Sequence, residues 1–393
     1  MWRLCGTEAE PRVVDSSRGR IFEVFPSRAA ELGSESAYWR FRGWKGEPVV
    51  RQIGPGPASL DDVHVDVTAR CNMKCPHCYQ SCGQDRQELA LEQFDSLCGK
   101  VAALGGARIA LSGGEALLHS RFDDLVRTIE RHGLVFTALF SNGWNPERAL
   151  GASCKWTQVL FSHSPALGQG LSETQLERIV HAAETGRLVT FSSMTLDGSE
   201  VLPIFDQMKA LAPKARSRIR WRIGVVRPVG RGALLKIDLP AVKRTSRELF
   251  RRWDQEVRQQ DLLDLQIGFA FRSDFVRNGR IDLYKEGSKC CEYKESSLAV
   301  KWDGQVHSCT MDSSPLGGIG DLENIWPNIG GMAFRGLPSK DVGACSACRL
   351  RSTCNGGCRL CAAPGACDRV SQMTYEFLDE ILPRLADLGV QAA

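Results

Sequence analysis

Three things are scarce in this 393-residue sequence, and each scarcity excludes a class of protein. Net charge is small: 50 Lys and Arg stand against 46 Asp and Glu, a formal balance of +4, which gives no global argument for a nucleic-acid partner. No apolar run reaches the roughly 18 residues that a membrane-spanning helix needs. The first residues carry Arg3, Glu8, Glu10 and Arg12 where a secretory signal has its apolar stretch. A cytoplasmic protein follows, with neither membrane nor nucleic acid as partner. Compositional bias is also missing: 43% hydrophobic and 24% charged residues are ordinary globular values and exclude a disordered, collagen-like or coiled-coil chain. At roughly 150 residues per domain, the length suggests two or three domains.

What is abundant is cysteine. Of 16 in all, four fall between Cys71 and Cys82 and nine between Cys290 and Cys367, leaving Cys5, Cys98 and Cys154 isolated. Disulfide frameworks belong to small secreted domains, and this chain is neither small nor secreted. Clustered cysteines in a reducing compartment read as metal ligands, whereas an isolated cysteine is more often a small buried hydrophobe.

Six short β-rich runs, at 63–68, 108–111, 135–140, 156–161, 188–191 and 219–226, alternate with helical patterns such as 89–104 and 122–133, whose apolar positions recur three and four apart. Such a βα series builds a parallel sheet, either doubly wound or rolled toward a barrel. Just past each run stands a polar or glycine-rich motif: Cys71, Gly113-Gly114-Glu115, Ser141-Asn142-Gly143, Ser162-His163-Ser164, Ser192-Ser193 and Arg227-Pro228. Ligand sites of α/β sheets assemble at that carboxyl edge, so one shared site is the economical reading. Ordinary turn chemistry is the bland one. Residues 1–60, closed by a Gly-Pro-Gly-Pro turn at 54–57, form an aromatic-rich arm; with Arg40, Arg42, Lys45 and Arg51 it suits either a cap or a peptide-docking strand. From residue 286 the chain is cysteine-rich with few large apolar residues, and metal bonds are expected to supply much of its folding free energy.

The spacing Cys71-x3-Cys75-x2-Cys78 places three thiolates on one loop. A four-iron cluster normally takes four, so three leave one iron open to a substrate or cofactor. A structural zinc with His77 or Cys82 as fourth ligand is the alternative. The spacing, and its position after the first strand, resemble the signature of the radical S-adenosylmethionine (SAM) enzymes. That resemblance implies a partial (β/α)6 TIM-like barrel over residues 61–285. It also implies a cluster whose open iron is chelated by SAM and whose electron cleaves SAM to methionine and a 5′-deoxyadenosyl radical. Carried over, Gly113, Gly114 and Glu115 meet the methionine amino group, Ser141 and Asn142 lie close to the ribose, Ser162 marks the fourth-strand motif, and His77 lies near the adenine. Two positions depart from the family: Ala116 replaces a usual proline, and Ser162 to Ser164 lack a common Asp.

A second constellation, Cys291-x12-Gly304-x4-Cys309 followed by Cys345-x2-Cys348-x5-Cys354-x3-Cys358 and then Cys367, resembles the SPASM extension of these enzymes. The resemblance implies a small C-terminal domain over 286–393 with two auxiliary [4Fe-4S] clusters, making three in all. Cys345, Cys348, Cys354 and Cys367 would hold one, and Cys291, Cys309 and Cys358 the other. Cys290 competes with Cys291, Cys361 competes with Cys367, and no further cysteine stands between Cys291 and Cys309, so one cluster is open or closed by Cys290. A zinc knuckle is the residue-level alternative.

Enzymes with both parts mainly modify peptides. The resemblance implies a maturase that removes hydrogen from a ribosomally made precursor peptide to form a carbon–carbon or thioether crosslink or an oxidised residue, with a flavodoxin or ferredoxin as electron donor. Sulfatase formylglycine maturation and dehydrogenation of a small alcohol are alternatives of the same architecture. A non-catalytic iron–sulfur carrier or a zinc scaffold would leave the three-cysteine loop and the Gly113 to Glu115 motif without purpose. No catalytic base can be selected from the sequence, and Arg178, Arg222 and Arg227 are equal candidates for meeting a carboxylate.

Overall fold

The computed structural model describes residues 60, 62–84, 87–154, 157–215, 219–258, 263–268, 271–273, 297–329, 348, 358, 360–361 and 367–391, and the backbone of 2–6, 11–15, 20–23 and 50–51. The N-terminal strands β1 (Trp2–Gly6), β2 (Pro11–Asp15), β3 (Arg20–Glu23) and β4 (Val50–Arg51) make a sheet of their own in the order β3-β2-β1-β4. The first three run antiparallel, and β4 lies parallel to β1. The turn at 54–57 and the aromatic side chains of the arm lie outside the described residues.

Seven parallel strands follow: β5 (Asp62–Asp66), β6 (Arg108–Ser112), β7 (Val135–Ser141), β8 (Gln158–Ser162), β9 (Val189–Thr195), β10 (Ile219–Val225) and β11 (Leu263–Ile267). They pair in chain order, which is the topology of a rolled (β/α) sheet with the six predicted units and one strand more. The connecting helices are α1 (Leu91–Ala103), α2 (Phe122–Arg131), α3 (Pro146–Ala152), α4 (Glu173–Glu184), α5 (Val201–Leu211) and α6 (Leu239–Glu256). Their starts are written in the sequence. Asn145 and Asp238 accept from Arg148 N–H and Ala241 N–H with proline in the first turn, and Ser172 with Gln175 forms a capping box. Helix α1 buries Phe94, Leu97, Cys98, Val101 and Ala102, so Cys98 is a core side chain.

Strand alternation divides the barrel wall. Val63 and Val65, Ile109 and Leu111, Val159 and Phe161, and Ile219, Trp221 and Ile223 join the helices in one buried core. Their neighbours lie on the opposite, inner face: His64 and Asp66, Ser112, Ser162, Thr190 and Ser192, Arg220 and Arg222, Asp264 and Gln266. A groove between β10, α6 and the C-terminal helix α8 (Arg369–Gln391), lined by Ile223, Val242, Leu249, Met373 and Phe377, is on the helix side and separate from that interior.

Beyond β11 stands a two-residue strand, β12 (Phe271–Arg272), antiparallel to it. At the other end, β13 (Ser297–Val300) pairs parallel to β5, in register from Ser297 with Asp62 to Val300 with Val65. Strands β14 (Gln305–His307) and β15 (Pro315–Gly318) then continue the same sheet antiparallel, for eleven strands among the described residues. Leu298, Val300, Val306, Ile319 and, from the short helix α7 (Leu322–Ile325), Leu322 and Ile325 belong to the barrel's own core. Residues 297–329 thus have sheet pairing and apolar burial of their own, beside the metal bonds expected to supply much of this region's folding free energy. Hydrogen exchange after iron chelation is expected to leave the amides of β13 as protected as those of β5. Selective loss at β13 would show the pairing to be metal-dependent.

Candidate active site

The loop after β5 is tied at both ends. Leu89 N–H donates to Val67 O at 2.9 Å, Ala69 N–H to Gln87 O at 2.9 Å and Cys71 N–H to Gly83 O at 2.6 Å. Within it, Cys78 N–H reaches Cys75 O and Ser81 N–H reaches Cys78 O, each at 3.3 Å, which winds the three cysteines through consecutive tight turns. Cys75 is buried, while Cys71 and Cys78 are half-buried.

A second brace comes from a 3-10 turn, Gly230–Leu234, after β10. Arg231 donates from Nε to Cys75 O at 2.8 Å, from Nη1 to Cys82 O at 2.9 Å and from its backbone N–H to Cys78 O at 3.1 Å. Gly230, at φ +58°, lies so close that a Cβ there would stand 2.2 Å from Tyr79 O. Gly230→Ala is expected to destabilise the protein by about 1–3 kcal/mol through backbone strain and this clash. It should also lower the iron retained after anaerobic desalting, measured against protein concentration. Sequence reading missed Arg231; the Gly-Arg-Gly at 230–232 past the sixth strand was its only signal.

Burial pushes the Cys75 thiol up to about 11, with Cys71 and Cys78 adding to it and Arg231 opposing. Burial likewise raises Cys71. Cys78 goes the other way, to about 6, chiefly because the Cys82 thiol hydrogen-bonds to it. The loop's fourth cysteine thus supports a thiolate at Cys78, the ligand form of the side chain.

The loop after β6 zips onto the cysteine loop: Gly114 N–H donates to Thr68 O at 2.7 Å and Glu115 N–H to Arg70 O at 2.8 Å. No side chain fits between them, since a Cβ on Gly113 or Gly114 would lie 2.5 Å from Thr68 O or 2.2 Å from Arg70 O. Glu115, 1% exposed, gathers three donors. Oε2 accepts from Asn142 N–H at 2.7 Å and Ser141 Oγ at 3.2 Å, and Oε1 accepts from Leu117 N–H at 3.4 Å. Burial raises its carboxyl to about 7 against those bonds. Asn142 then closes the ring, donating from Nδ2 to Asn72 Oδ1 at 2.7 Å and lying 3.9 Å from Cys71 Sγ. Cys71, Gly113 to Glu115, Ser141 and Asn142 are thereby one continuous network.

The other candidates divide. His77 stands on the same loop with Nε2 3.2 Å from Gln169 Oε1, and burial lowers its pKa. Ser162 ends β8 in register with Ser192. His163 turns away from them into packing, accepting from Leu171 N–H at Nδ1 and donating from Nε2 to Gln207 Oε1 at 2.9 Å. Arg178 pairs with Glu147 on the surface. Arg227 pairs with buried Asp368 at 3.0 Å, which ties the β10 loop to the start of α8.

Of the C-terminal cysteines, Cys290, Cys291, Cys345 and Cys354 lie outside the described residues. Cys309 is buried in the turn after β14, and Cys348 packs against the core. Cys361 hydrogen-bonds to Cys358, which lowers the Cys358 thiol to about 7, and Cys358 N–H donates to Asp368 Oδ2 at 2.9 Å. Cys367 Sγ lies 3.6 Å from Asp368 O. Among the described residues no three His, Cys, Asp or Glu side chains, those of Cys71, Cys75 and Cys78 included, are grouped closely enough to hold a metal ion.

Residues 65–165 match the family model of the radical SAM superfamily. The chain carries a radical SAM domain and is an enzyme. Mycofactocin maturase MftC of Mycolicibacterium smegmatis is 26% identical over 336 residues, covering 79% of this chain and 82% of that protein. Sporulation killing factor maturation protein SkfB of Bacillus subtilis is 25% identical over 286 residues, covering 68% of this chain and 64% of SkfB. The fold is shared with Streptococcus suis SuiB bound to precursor peptide SuiA, at TM-score 0.65 and 13% identity over 91% of this chain and 95% of that one. It is shared as well with anSMEcpe with bound AdoMet and Cp18Cys peptide, at TM-score 0.64 and 16% identity over 84% and 99%. A radical SAM domain implies a [4Fe-4S] cluster and SAM, and the residues present suit both: three thiols on one braced loop, a backbone cradle at Gly113 and Gly114, and a buried acid at Glu115. Among the described residues no helix is long and apolar enough to cross a membrane.

Proposed function

We propose that this enzyme is a maturase of a ribosomally made peptide. Cys71, Cys75 and Cys78 hold the cluster that binds SAM, and two further clusters sit on the C-terminal cysteines. The observation that carries the reading is the Cys71–Asn142–Glu115 network at the carboxyl edge of β5, β6 and β7, taken with relatives named as maturases over more than two thirds of the chain. When bound, the cluster on Cys71, Cys75 and Cys78 would supply the electron for reductive cleavage of SAM and removal of one hydrogen from the peptide, and a C-terminal cluster would take up the second electron as a proton leaves for solvent.

The protein's own residues do the rest. Arg231 and Gly83 hold the cysteine loop in shape, and Glu115 and Asn142 fix the strand-end loops against it. Cys345, Cys348, Cys354 and Cys367 would form one C-terminal ligand set and Cys291, Cys309 and Cys358 the other, with Cys290 and Cys361 as competing ligands. A flavodoxin or ferredoxin is the electron donor. The N-terminal sheet ends in β3 and β4, and either edge suits a leader peptide added as a strand. The test is anaerobic co-expression with any short open reading frame found beside the gene, followed by mass spectrometry. A peptide mass loss of about 2 Da per crosslink, dependent on Cys71, is expected from the removal of two hydrogens. Unmodified peptides with intact SAM cleavage would overturn the substrate class.

A further inference from the structure

Three large apolar side chains stand out in water among the described residues: Leu234 is 88% exposed, Leu188 50% and Trp144 43%. Leu188 precedes β9, at the amino edge of the parallel strands. The other two stand at the carboxyl edge, one tied to the start of the cysteine loop and one to its later turns. Trp144 N–H donates to Asn142 Oδ1 at 3.0 Å, and Asn142 in turn donates to Asn72 Oδ1 at 2.7 Å. Leu234 ends the turn whose Arg231 holds Cys75 O and Cys82 O, and whose Gly232 lies so near that a Cβ there would stand 3.5 Å from His77 O. Scattered exposed apolar residues are ordinary, but two on the elements that clamp one loop call for a reason.

The loop itself alternates. Cys71 and Met73 are half-buried and Cys75 is buried, whereas Asn72, Lys74 and Pro76 are exposed. One side of this segment faces the protein and the other faces solvent. Lys74 has no ion pair among the described residues, and neither does Lys236, which is exposed two residues beyond Leu234. Asp238, close by in sequence, is engaged as the cap of α6. Cations on the barrel's helices are neutralised instead, as Arg148 is by Asp123, Arg247 by Glu380 and Arg252 by Asp206. Exposed apolar surface and unneutralised positive charge thus coincide at the rim of the cysteine loop.

We propose that this rim is the docking surface for a small acidic protein that carries one electron, with Trp144 and Leu234 as apolar anchors and Lys74 and Lys236 as charge partners. It rests on the proposed function for the class of donor, a flavodoxin or ferredoxin. The carrier would be oxidised by one electron and the cluster on Cys71, Cys75 and Cys78 reduced by one, with no bond made or broken. Such a partner delivers its electron from outside and gains by touching the solvent side of the loop that carries the thiols. Carboxylates around its redox centre complement lysines that have no acid of their own, and this matching speeds encounter. The substrate peptide, by contrast, needs its reacting carbon shielded from water, which an exposed rim does not provide.

The test compares the anaerobic holoenzyme with Leu234→Asp and Lys236→Glu under three sources of electrons: flavodoxin or a [2Fe–2S] ferredoxin, each kept reduced by NADPH and its reductase, and dithionite, which is too small to need docking. With at least one carrier at limiting concentration, 5′-deoxyadenosine formation is expected to fall about tenfold in Leu234→Asp and about fivefold in Lys236→Glu. With dithionite, both variants should stay within about twofold of wild type, as should their iron content. Carbodiimide coupling reads binding without turnover. Mass spectrometry should find Lys74 or Lys236 of the wild type joined to a carrier carboxylate, with a yield that drops in Leu234→Asp and in about 0.5 M potassium chloride. Carrier-supported rates equal to wild type in both variants, equal losses with dithionite, a wild type that neither carrier reduces, or no coupling at either lysine would overturn the docking surface. So would loss of peptide modification under dithionite in Leu234→Asp, which would put the peptide there, or a wild-type dimer split by that variant, which would put a second copy there. Lys236→Glu keeps the test decisive should Leu234→Asp not fold. Unmodified peptide beside carrier-dependent SAM cleavage would sink the maturase reading and leave the surface standing.

Discussion

Replacing Cys71, Cys75 and Cys78 together by Ala is expected to abolish 5′-deoxyadenosine formation and to remove about a third of the iron. Three four-iron clusters amount to about twelve iron atoms per chain, of which this loop would hold about four. Because Arg231, Gly83 and Gln87 bond to backbone atoms of the loop and not to its thiols, the loop should keep its path and the barrel its circular dichroism. Iron counted against protein after anaerobic reconstitution decides the matter. Unchanged iron would remove this loop from the ligand set, and stoichiometric zinc with little iron would restore the structural alternative.

Glu115→Ala should be the most damaging single substitution away from the cysteines. It strands the N–H groups of Asn142 and Leu117 and the Ser141 hydroxyl in a buried site, at about 1–3 kcal/mol for each donor that finds no other acceptor. Glu115→Gln keeps one acceptor oxygen and the shape while removing the charge. It should fold, yet cleave SAM at least about tenfold more slowly if the carboxylate meets a SAM ammonium, since charge-assisted bonds contribute about 1.5–3 kcal/mol. The same residue predicts a pH effect in the SAM-free protein. Its folded pKa, near 7, is raised above the ordinary 4.5, so between those values the unfolded chain has released a proton that the folded one retains. Stability should therefore fall as pH rises from about 4.5 to 7, and Glu115→Gln should flatten that slope. Denaturant midpoints across this range measure it; a wild-type curve as flat as the variant's would show Glu115 to be fully ionised throughout.

Much of this site was legible in the linear sequence because its chemistry is local. Three cysteines spaced Cys71-x3-Cys75-x2-Cys78 must share a loop, and a Gly-Gly-Glu after a β-rich run must lie at a strand's end, whatever the rest of the chain does. The alternating runs gave six βα units for the same reason, since periodicity is a short-range property. The arginine candidates show the limit. Arg178, Arg222 and Arg227 were indistinguishable in sequence, and only packing put Arg178 on Glu147 at the surface and Arg227 on Asp368 between the barrel and α8.

Long-range pairing was invisible throughout. That Arg231 braces a loop 156 residues earlier in the chain, that β13 extends the sheet beyond β5, and that Trp144 and Leu234 flank the cysteine loop all depend on which strands become neighbours. The sequence by itself determined the cysteine spacing and six of the seven consecutive parallel strands, because those are carried by covalent distance and side-chain period. The tertiary structure decided which polar groups meet and which are left unpaired, because burial and hydrogen bonding between distant segments exist only once the sheet and its helices have assembled.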